Sequence, residues 1–171
     1  DKLIAYLRQE KAVLRADALG SLRRQAATVG DVDIGVATEN PQKVISHFCR
    51  FPEVRKVTAS GSKTARIMLK SNHQIDLRVQ SPKSYGALLQ HYTGSKQHNI
   101  NLREVAMEKK WSLSEYGIKI AGKIKPFATE KGFYRHLGMA WIPPELREGS
   151  GEIKMAQTNK LPKLIKLDQI K

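Results

Sequence analysis

Gly30-Asp31-Val32-Asp33-Ile34 and, farther along, Gln74-Ile75-Asp76-Leu77-Arg78-Val79 are the two stretches that decide the fold. Side chains alternate between the two faces of a β-strand, so Asp31 and Asp33 project from the same side of the first stretch. Asp76 lies in a second run with the pattern of a strand, and it can bring a third carboxylate to the same place. The two stretches therefore predict a sheet that carries an acidic cluster.

The chemistry of this cluster follows from its charge. Three carboxylates this close repel one another unless a positive charge neutralises them, and hard divalent cations are the usual partners of such oxygen ligands. Two such ions about 4 Å apart can hold the attacking and leaving oxygens of a phosphoryl displacement. Upstream, Gly20-Ser21 offers a hydroxyl and backbone amides, and Arg23-Arg24 offers two cations suited to a triphosphate. We therefore predict a nucleotidyl-transfer site.

The overall composition points to a polyanionic partner. The chain has 171 residues, with 30 Lys and Arg against 16 Asp and Glu, for a net charge of +14. Such an excess attracts nucleic acid or an anionic membrane. No apolar run approaches the ~20 residues of a membrane span, and the first residues lack the apolar core of a signal peptide. Nucleic acid is therefore the expected partner, and no membrane association is expected.

Two further features of the composition bear on compartment and completeness. The single cysteine, Cys49, excludes an intramolecular disulfide and fits a reducing compartment, so a cytoplasmic location is expected. The first residue is Asp rather than Met, and a helical pattern begins at once. We therefore expect the chain to be a piece of a longer protein.

The first half of the chain alternates helical and strand-like patterns. Residues 1–16 show an amphipathic helical pattern, and a short helical stretch is expected around residues 25–27. Asn40-Pro41 is typical of a helix start, with Asn as the cap and Pro in the first turn. Four strands are expected at residues 32–38, 54–60, 65–70 and 74–80. Together they predict a mixed or antiparallel sheet backed by helices.

Ser81-Pro82 marks a change in composition. Helices are expected over residues 83–91, from the turn at residues 93–95 to about residue 109, and over residues 130–137. A small hairpin or strand pair is expected within residues 112–125. From Gly149 onward the chain is rich in Gly and Lys and is typical of a linker. The predicted fold class is α+β, with a catalytic domain at 1–82, a smaller α+β lobe at 83–148 and a tail at 149–171.

Four motifs in order resemble the catalytic region of family X DNA polymerases, the polymerase beta-like repair group. They are Gly20-Ser21-Leu22-Arg23-Arg24, Gly30-Asp31-Val32-Asp33, Ile75-Asp76-Leu77-Arg78 and Tyr92-Thr93-Gly94-Ser95. The Gly-Ser and Asp-x-Asp spacing marks the broad nucleotidyltransferase superfamily, whereas Tyr-Thr-Gly-Ser is similar to family X. The segment from Ile142 to Glu148 resembles the bacterial and archaeal branch.

The resemblance implies a palm domain followed by a thumb, without the N-terminal domains and the metal-dependent PHP phosphoesterase domain of that branch. It also implies roles for individual side chains and for two Mg²⁺ ions, or Mn²⁺ in their place. The implied metal ligands and catalytic residues are Asp31, Asp33 and Asp76. The implied triphosphate-binding residues are Gly20, Ser21, Arg24 and Gly30. The implied sugar and base contacts are Tyr92, Gly94 and Asn99, and the implied template or DNA contacts are Lys96 and Arg103. Arg78 is implied to pair with the second aspartate when metals are absent.

The function implied by the resemblance is template-directed transfer of a deoxynucleoside monophosphate to a primer 3′-hydroxyl in gapped DNA, by a monomer. Two alternatives stay open: another nucleotidyltransferase with an RNA or protein substrate, and a non-catalytic DNA-binding module. Lysines outside the motifs are expected to contact the DNA backbone: Lys109, Lys110, Lys119, Lys123, Lys125 and Lys131. Arg23 is equally compatible with a structural role, and His98 is expected on a solvated helix face.

Overall fold

The computed structural model describes residues 1–165. The helices are α1 (Lys2–Leu7), α2 (Gly20–Arg23), α3 (Pro41–Cys49), α4 (Tyr85–Thr93), α5 (Lys96–Glu108), α6 (Glu130–Leu137) and α7 (Glu152–Gln157). Short 3₁₀ turns occur at Pro82–Ser84 and Pro144–Leu146. The strands are β1 (Arg15–Ala18), β2 (Val32–Ala37), β3 (Val54–Ser60), β4 (Thr64–Leu69), β5 (Gln74–Gln80), β6 (Ser112–Ser114), β7 (Gly117–Ile120) and β8 (Lys123–Lys125). Among these residues, no helix is long and apolar enough to cross a bilayer.

The first lobe is built on a mixed sheet of five strands, as the sequence predicts. Its order is β1-β2-β5-β4-β3, in which β2 and β5 are parallel and the other neighbours are antiparallel. The two central strands carry mostly buried residues, because helices α1 and α3 cover one face. Helix α3 begins as predicted, since the Asn40 side chain accepts a hydrogen bond from the Lys43 amide at 3.3 Å.

The second lobe packs helices α4 to α7 against a three-stranded antiparallel sheet, β6-β7-β8. Its core includes the fully buried side chains Leu102, Ile118 and Phe133. Gly86 on α4 lets this helix lie directly on the backbone of Thr129, the N-cap of α6, because a Cβ at this position would overlap that backbone. The α+β class with two successive sheets is confirmed.

Two of the expected elements differ from the structure at the N-terminal end. The predicted helix over residues 1–16 is wrong after Leu7, because Arg15–Ala18 instead forms β1, paired antiparallel with β2. Within β1 the exposed Arg15 is followed directly by Ala16, which is buried in the first core, as the alternating faces of a strand require. The short helix expected around residues 25–27 lies earlier, at α2.

The segment beyond residue 149 is also different from the expected linker. Helix α7 buries Ile153 and Ala156 in the second core, so the tail prediction is wrong for this helix. His98 is fully buried rather than solvated, and its ring joins Glu152 Oε1 at 2.6 Å and the Tyr134 hydroxyl at 2.8 Å. The apolar contacts of Ile153 and Ala156 and the hydrogen bonds of His98 together hold this segment on the lobe. Residues 166–171 of the predicted tail lie outside the described residues.

A buried carboxylate joins the two lobes. Glu130, at the start of α6, accepts hydrogen bonds from Arg23 Nη2 at 2.6 Å and Arg147 Nη1 at 2.7 Å. Burial alone would raise the pKa of Glu130, but the charges of Arg147 and Arg23 and their hydrogen bonds outweigh it and lower this pKa. Arg147 also donates to the Ile142 carbonyl from Nε and Nη2, so this guanidinium is held firmly. Arg23 therefore has a structural contact, one of the two roles left open by the sequence.

We predict that Glu130→Gln lowers the free energy of unfolding by about 3–5 kcal/mol, because it leaves two buried guanidinium groups without their anion. Since the pKa of Glu130 is lowered in the folded protein, its contribution is fully present above about pH 4.5 and is lost as the pH falls further. Urea unfolding at pH 7 and at pH 4 would measure both effects. The exposed Glu104→Gln is the control, and an equal loss in the two variants would contradict the assigned role.

Candidate active site

The parallel pairing of β2 with β5 brings two of the predicted acidic residues together. In this register Asp33 lies directly opposite Asp76. Asp31 precedes the first residue of β2 and is exposed. Burial raises the pKa of the Asp33 carboxyl, and the nearby charges of Asp76 and Asp31 raise it further. The three carboxylates thus form one electrostatic cluster at one end of the two central strands.

Asp76 is held by two neighbours that the sequence analysis did not identify. Arg66 Nε donates to Asp76 Oδ1 at 2.8 Å, and Gln74 Nε2 donates to Asp76 Oδ2 at 3.0 Å. Arg66 on β4 lies opposite Asp76 in the antiparallel register, so its position follows from strand pairing. The alternation of polar and apolar residues along β4 predicts that Arg66 faces away from the core. The sequence does not reveal its partner Asp76, because this contact depends on the register between β4 and β5.

The carboxylate oxygens of Asp31, Asp33 and Asp76 are the kind of ligand that divalent metals prefer. Within residues 1–165, however, no three His, Cys, Asp or Glu side chains converge closely enough to enclose an ion. The bonds from Arg66 and Gln74 engage both oxygens of Asp76. Asp33, half-buried and with a raised pKa, is the carboxylate that a cation would stabilise most directly.

Helix α2 lies next to these carboxylates. Gly20 adopts φ +57°, and a Cβ built on it would come within 3.1 Å of Asp33 Oδ2. The backbone amide of Leu19, just before this helix, donates to the Asp33 carbonyl at 2.8 Å. Ser21 follows in the first turn, whereas Gly30 is exposed with open space around its Cα. The close approach explains why the sequence has Gly at position 20.

Arg24, predicted to bind a triphosphate, is engaged within the protein. Its Nη1 donates to the Thr93 carbonyl at 2.6 Å, and its Nε donates to Glu148 Oε1 at 2.7 Å. Gly94 lies beside it, because a Cβ there would be 3.1 Å from Arg24 Nη1. The guanidinium therefore connects α2 with the turn between α4 and α5. Glu148 is 124 residues away in the sequence, so no local pattern points to this pair.

The predicted sugar and base residues lie around this same turn. The Tyr92 ring faces the guanidinium of Arg78, whose Cζ is 4.7 Å from the ring centroid. In the described part of the chain no salt bridge joins Arg78 to Asp33, but the charge of Arg78 offsets part of the rise in the pKa of Asp33 that burial causes. The pairing implied for Arg78 and the second aspartate stays a prediction.

The predicted contact residues on α5 differ in exposure and in their hydrogen bonds within the protein. Asn99 Nδ2 donates to the His91 carbonyl and Asn99 Oδ1 accepts from Gln90, both at 2.8 Å. These bonds orient the amide and leave its second N–H and a second lone pair of Oδ1 for a further contact. Lys96 and Arg103 are exposed on the same helix.

The comparisons with known proteins agree with this architecture. The sequence profile described as DNA polymerase beta thumb matches residues 88–148. The DNA polymerase/3′-5′ exonuclease PolX of Bacillus subtilis is 36% identical over 170 residues, which cover 97% of this chain. The chain belongs to the family X DNA polymerases. It spans only 30% of the length of the Bacillus protein.

Other family X polymerases are similar over a shorter stretch. A Repair DNA polymerase X of African swine fever virus is 27% identical over 143 residues, covering 76% of this chain and 79% of the viral protein. DNA polymerase lambda of Rattus norvegicus is 28% identical over 142 residues, covering 22% of that protein. The viral relative shows that a short family X polymerase consists largely of the part that this chain resembles.

We predict that Gly20→Ala destabilises the protein by about 1–2 kcal/mol, because an L-residue is strained at φ +57° and its Cβ would press on Asp33. Gly30→Ala is the matched control, since no atom lies within 4 Å of a Cβ built there. Its expected effect is within about 0.5 kcal/mol. Urea unfolding of the two variants checks the difference, and equal midpoints would exclude a special role for Gly20.

Proposed function

We propose that this chain carries out nucleotidyl transfer in a family X DNA repair polymerase, adding a deoxynucleotide to the 3′-hydroxyl of a primer in gapped DNA. The observation that carries the proposal is the opposition of Asp33 and Asp76 on parallel strands, with Asp31 next to them. Similarity to the Bacillus polymerase over 97% of the chain supports the assignment.

In this proposal Asp31, Asp33 and Asp76 hold two Mg²⁺ ions, or Mn²⁺ in their place. Such ions lower the pKa of an attacking hydroxyl and neutralise charge on the leaving phosphates. Arg66 and Gln74 hold the Asp76 carboxylate in place, and Arg66 gives up at least part of its contact when Asp76 takes a ligand. Asp33, whose pKa is raised by burial, is the aspartate that gains most from a cation.

The remaining proposed roles follow the surroundings of the carboxylates. The triphosphate would lie along α2 and be held by the residues Gly20, Ser21, Arg24 and Gly30. The sugar and base of the nucleotide would contact Tyr92, Gly94 and Asn99. Lys96 and Arg103 are free at the surface to contact the template strand. A set of lysines outside the motifs would contact phosphates of the DNA backbone: Lys109, Lys110, Lys119, Lys123, Lys125 and Lys131. Such contacts make DNA binding sensitive to salt without reading the base sequence.

The proposal includes the organisation of the chain. Residues 1–82 would form the palm and the next residues the thumb, with α7 added to the thumb rather than to a linker. The protein would act as a monomer in the cytoplasm, near the nucleoid. A nucleotidyltransferase for ribonucleotides and a DNA-binding module without catalysis are the competing functions, and the first experiment below separates all three.

We predict that the chain adds one templated deoxynucleotide to a labelled, gapped primer–template in the presence of Mg²⁺ or Mn²⁺. Asp76→Ala and the Asp31→Ala/Asp33→Ala double variant should show no detectable extension while they retain most of their DNA affinity. Denaturing gel electrophoresis measures extension, and fluorescence anisotropy measures DNA binding.

The outcomes discriminate between the candidate functions. Equal or better use of ribonucleotides would favour the second enzymatic function. Extension by the Asp76→Ala variant would contradict the role of the carboxylates. DNA binding without extension, and without metal-dependent binding of a triphosphate, would favour the non-catalytic module.

The Arg24–Glu148 pair generates a prediction about affinity. Because Glu148 is half-exposed, its pair with Arg24 has the modest strength of a surface ion pair, about 0.2–1 kcal/mol. Glu148→Gln should therefore tighten triphosphate binding about 1.5- to 5-fold. Arg24→Ala should weaken it by about ten-fold or more, since it removes charge-assisted hydrogen bonds. Isothermal titration with a deoxynucleoside triphosphate measures both, with Glu145→Gln as control. An unchanged affinity in Arg24→Ala would place the phosphates elsewhere.

A further inference from the structure

A second basic site lies on the second lobe, outside the candidate active site. A cleft of about 370 Å³ opens between α6, the chain that follows it and the end of α7. This volume is within the range of small-ligand sites, about 300–1,000 Å³. The residues that matter for its chemistry are Lys131, Arg135, Trp141, Gln157 and Asn159. None of them belongs to the carboxylate cluster or to the proposed triphosphate site.

The charged side chains that line this cleft are all positive. Lys131 and Arg135 are exposed and lie one turn apart on α6. Within residues 1–165, neither has a carboxylate within salt-bridge distance, and no Asp or Glu lines the cleft. Like charges at this helical spacing repel one another. Lys109 Nζ adds a third cation at the edge, 3.9 Å from where a Cβ on Gly138 would lie. An anion in the cleft would relieve this repulsion.

An aromatic ring stands at the border of the cleft. Trp141 is half-buried, and Lys131 Nζ lies 6.0 Å from its ring centroid. A second cleft, of about 200 Å³, shares Lys131 and Trp141 and is lined on its other side by Arg15 and Arg23. Arg15 is half-exposed, whereas Arg23 is held by Glu130. We treat the two clefts, which share Lys131 and Trp141, as one groove. Glu130 also lines the second cleft, where Arg15 is paired with Asp17 and Arg23 with Glu130, so the positive charge of the groove is concentrated at Lys131 and Arg135.

We propose that this groove is a second nucleic-acid site that takes an unpaired strand. Cations that follow a phosphate backbone, combined with an aromatic platform for a base, are the features by which proteins bind single strands without sequence preference. Lys131 and Arg135 contact the phosphates, and a base stacks on the Trp141 indole. The site goes beyond the proposed polymerase function and requires none of the three aspartates.

Tryptophan fluorescence tests the stacking directly, because the chain has only two Trp residues. In a Trp111→Phe background, Trp141 is the sole tryptophan. Titration with a short oligothymidylate should quench its emission. An oligomer of the same length made of abasic units carries the same phosphates without bases, and it should bind about five-fold more weakly or worse, with no quenching. Equal quenching by both oligomers, or by polyglutamate at matched charge, would overturn the proposal in favour of a general anion or an acidic protein.

Salt dependence tests the two cations. Each phosphate contact adds about 0.7 to the slope of log affinity against log salt for single strands, so Lys131→Ala/Arg135→Ala should lower the slope by ~1.4. Both side chains are exposed, which makes misfolding of this variant easy to exclude by circular dichroism. Lys11→Ala/Lys43→Ala removes the same charge from exposed positions outside the groove. An equal change of slope in the two double variants would overturn the site.

The experiments can exclude the groove and the proposed polymerase function independently of each other. Asp31→Ala/Asp33→Ala should bind the oligothymidylate like the unchanged protein and still quench Trp141. If the oligothymidylate binds but leaves the Trp141 emission unchanged, the strand lies outside the groove, and the inference is wrong. If quenching is intact while no variant or parent extends a primer, the groove stands and the polymerase proposal falls.

Discussion

The parallel pairing of β2 with β5 is the constraint on which the site depends. These strands lie at the centre of the sheet and are buried, so their register is fixed by packing as well as by hydrogen bonds. A slip of one residue would turn every side chain of a strand to the other face. The register that buries Ile34 and Leu77 is the one that places Asp33 opposite Asp76. The acidic cluster is thus a consequence of the core beneath it.

Helix α2 connects this cluster with the second lobe. At one end Gly20 lies against Asp33, and at the other Arg23 reaches Glu130 while Arg24 reaches Thr93 and Glu148. One short element therefore touches the carboxylates, the turn after α4 and the segment before α7. A movement of the second lobe would alter these contacts of α2. The geometry of the proposed phosphate site therefore depends on how the two lobes are joined.

Sequence patterns predicted the elements that neighbouring residues encode and missed the contacts between residues far apart in the sequence. The strands from residue 54 to residue 80 and the Asn40 cap are encoded by neighbouring residues, and the structure has them within a residue or so. The helical pattern of residues 1–16 failed because Arg15–Ala18 gains more by pairing with β2 than by extending α1. Helix α7 has only six residues, and its burial depends on His98, far away in sequence. Arg66 and Glu148 were missed for the same reason, since their partners are set by strand register and lobe packing.

The distribution of acids explains why so basic a protein has an acidic site. Among residues 1–165, the buried acids Asp76, Glu130 and Glu152 each have a cationic or imidazole partner inside the protein. Arg66 compensates the charge of Asp76, and Arg23 and Arg147 compensate that of Glu130. Burial lowers the pKa of His98, so its ring supplies Glu152 with a hydrogen bond rather than a compensating charge. Many of the remaining Lys and Arg side chains are exposed, where they can attract phosphates. Asp33 differs from these three, because it is half-buried beside two other carboxylates and has a raised pKa. The chain moderates this state with its own cations, because burial and the neighbouring carboxylates raise the pKa of Asp33 while the charges of Arg78 and Arg66 offset part of this rise.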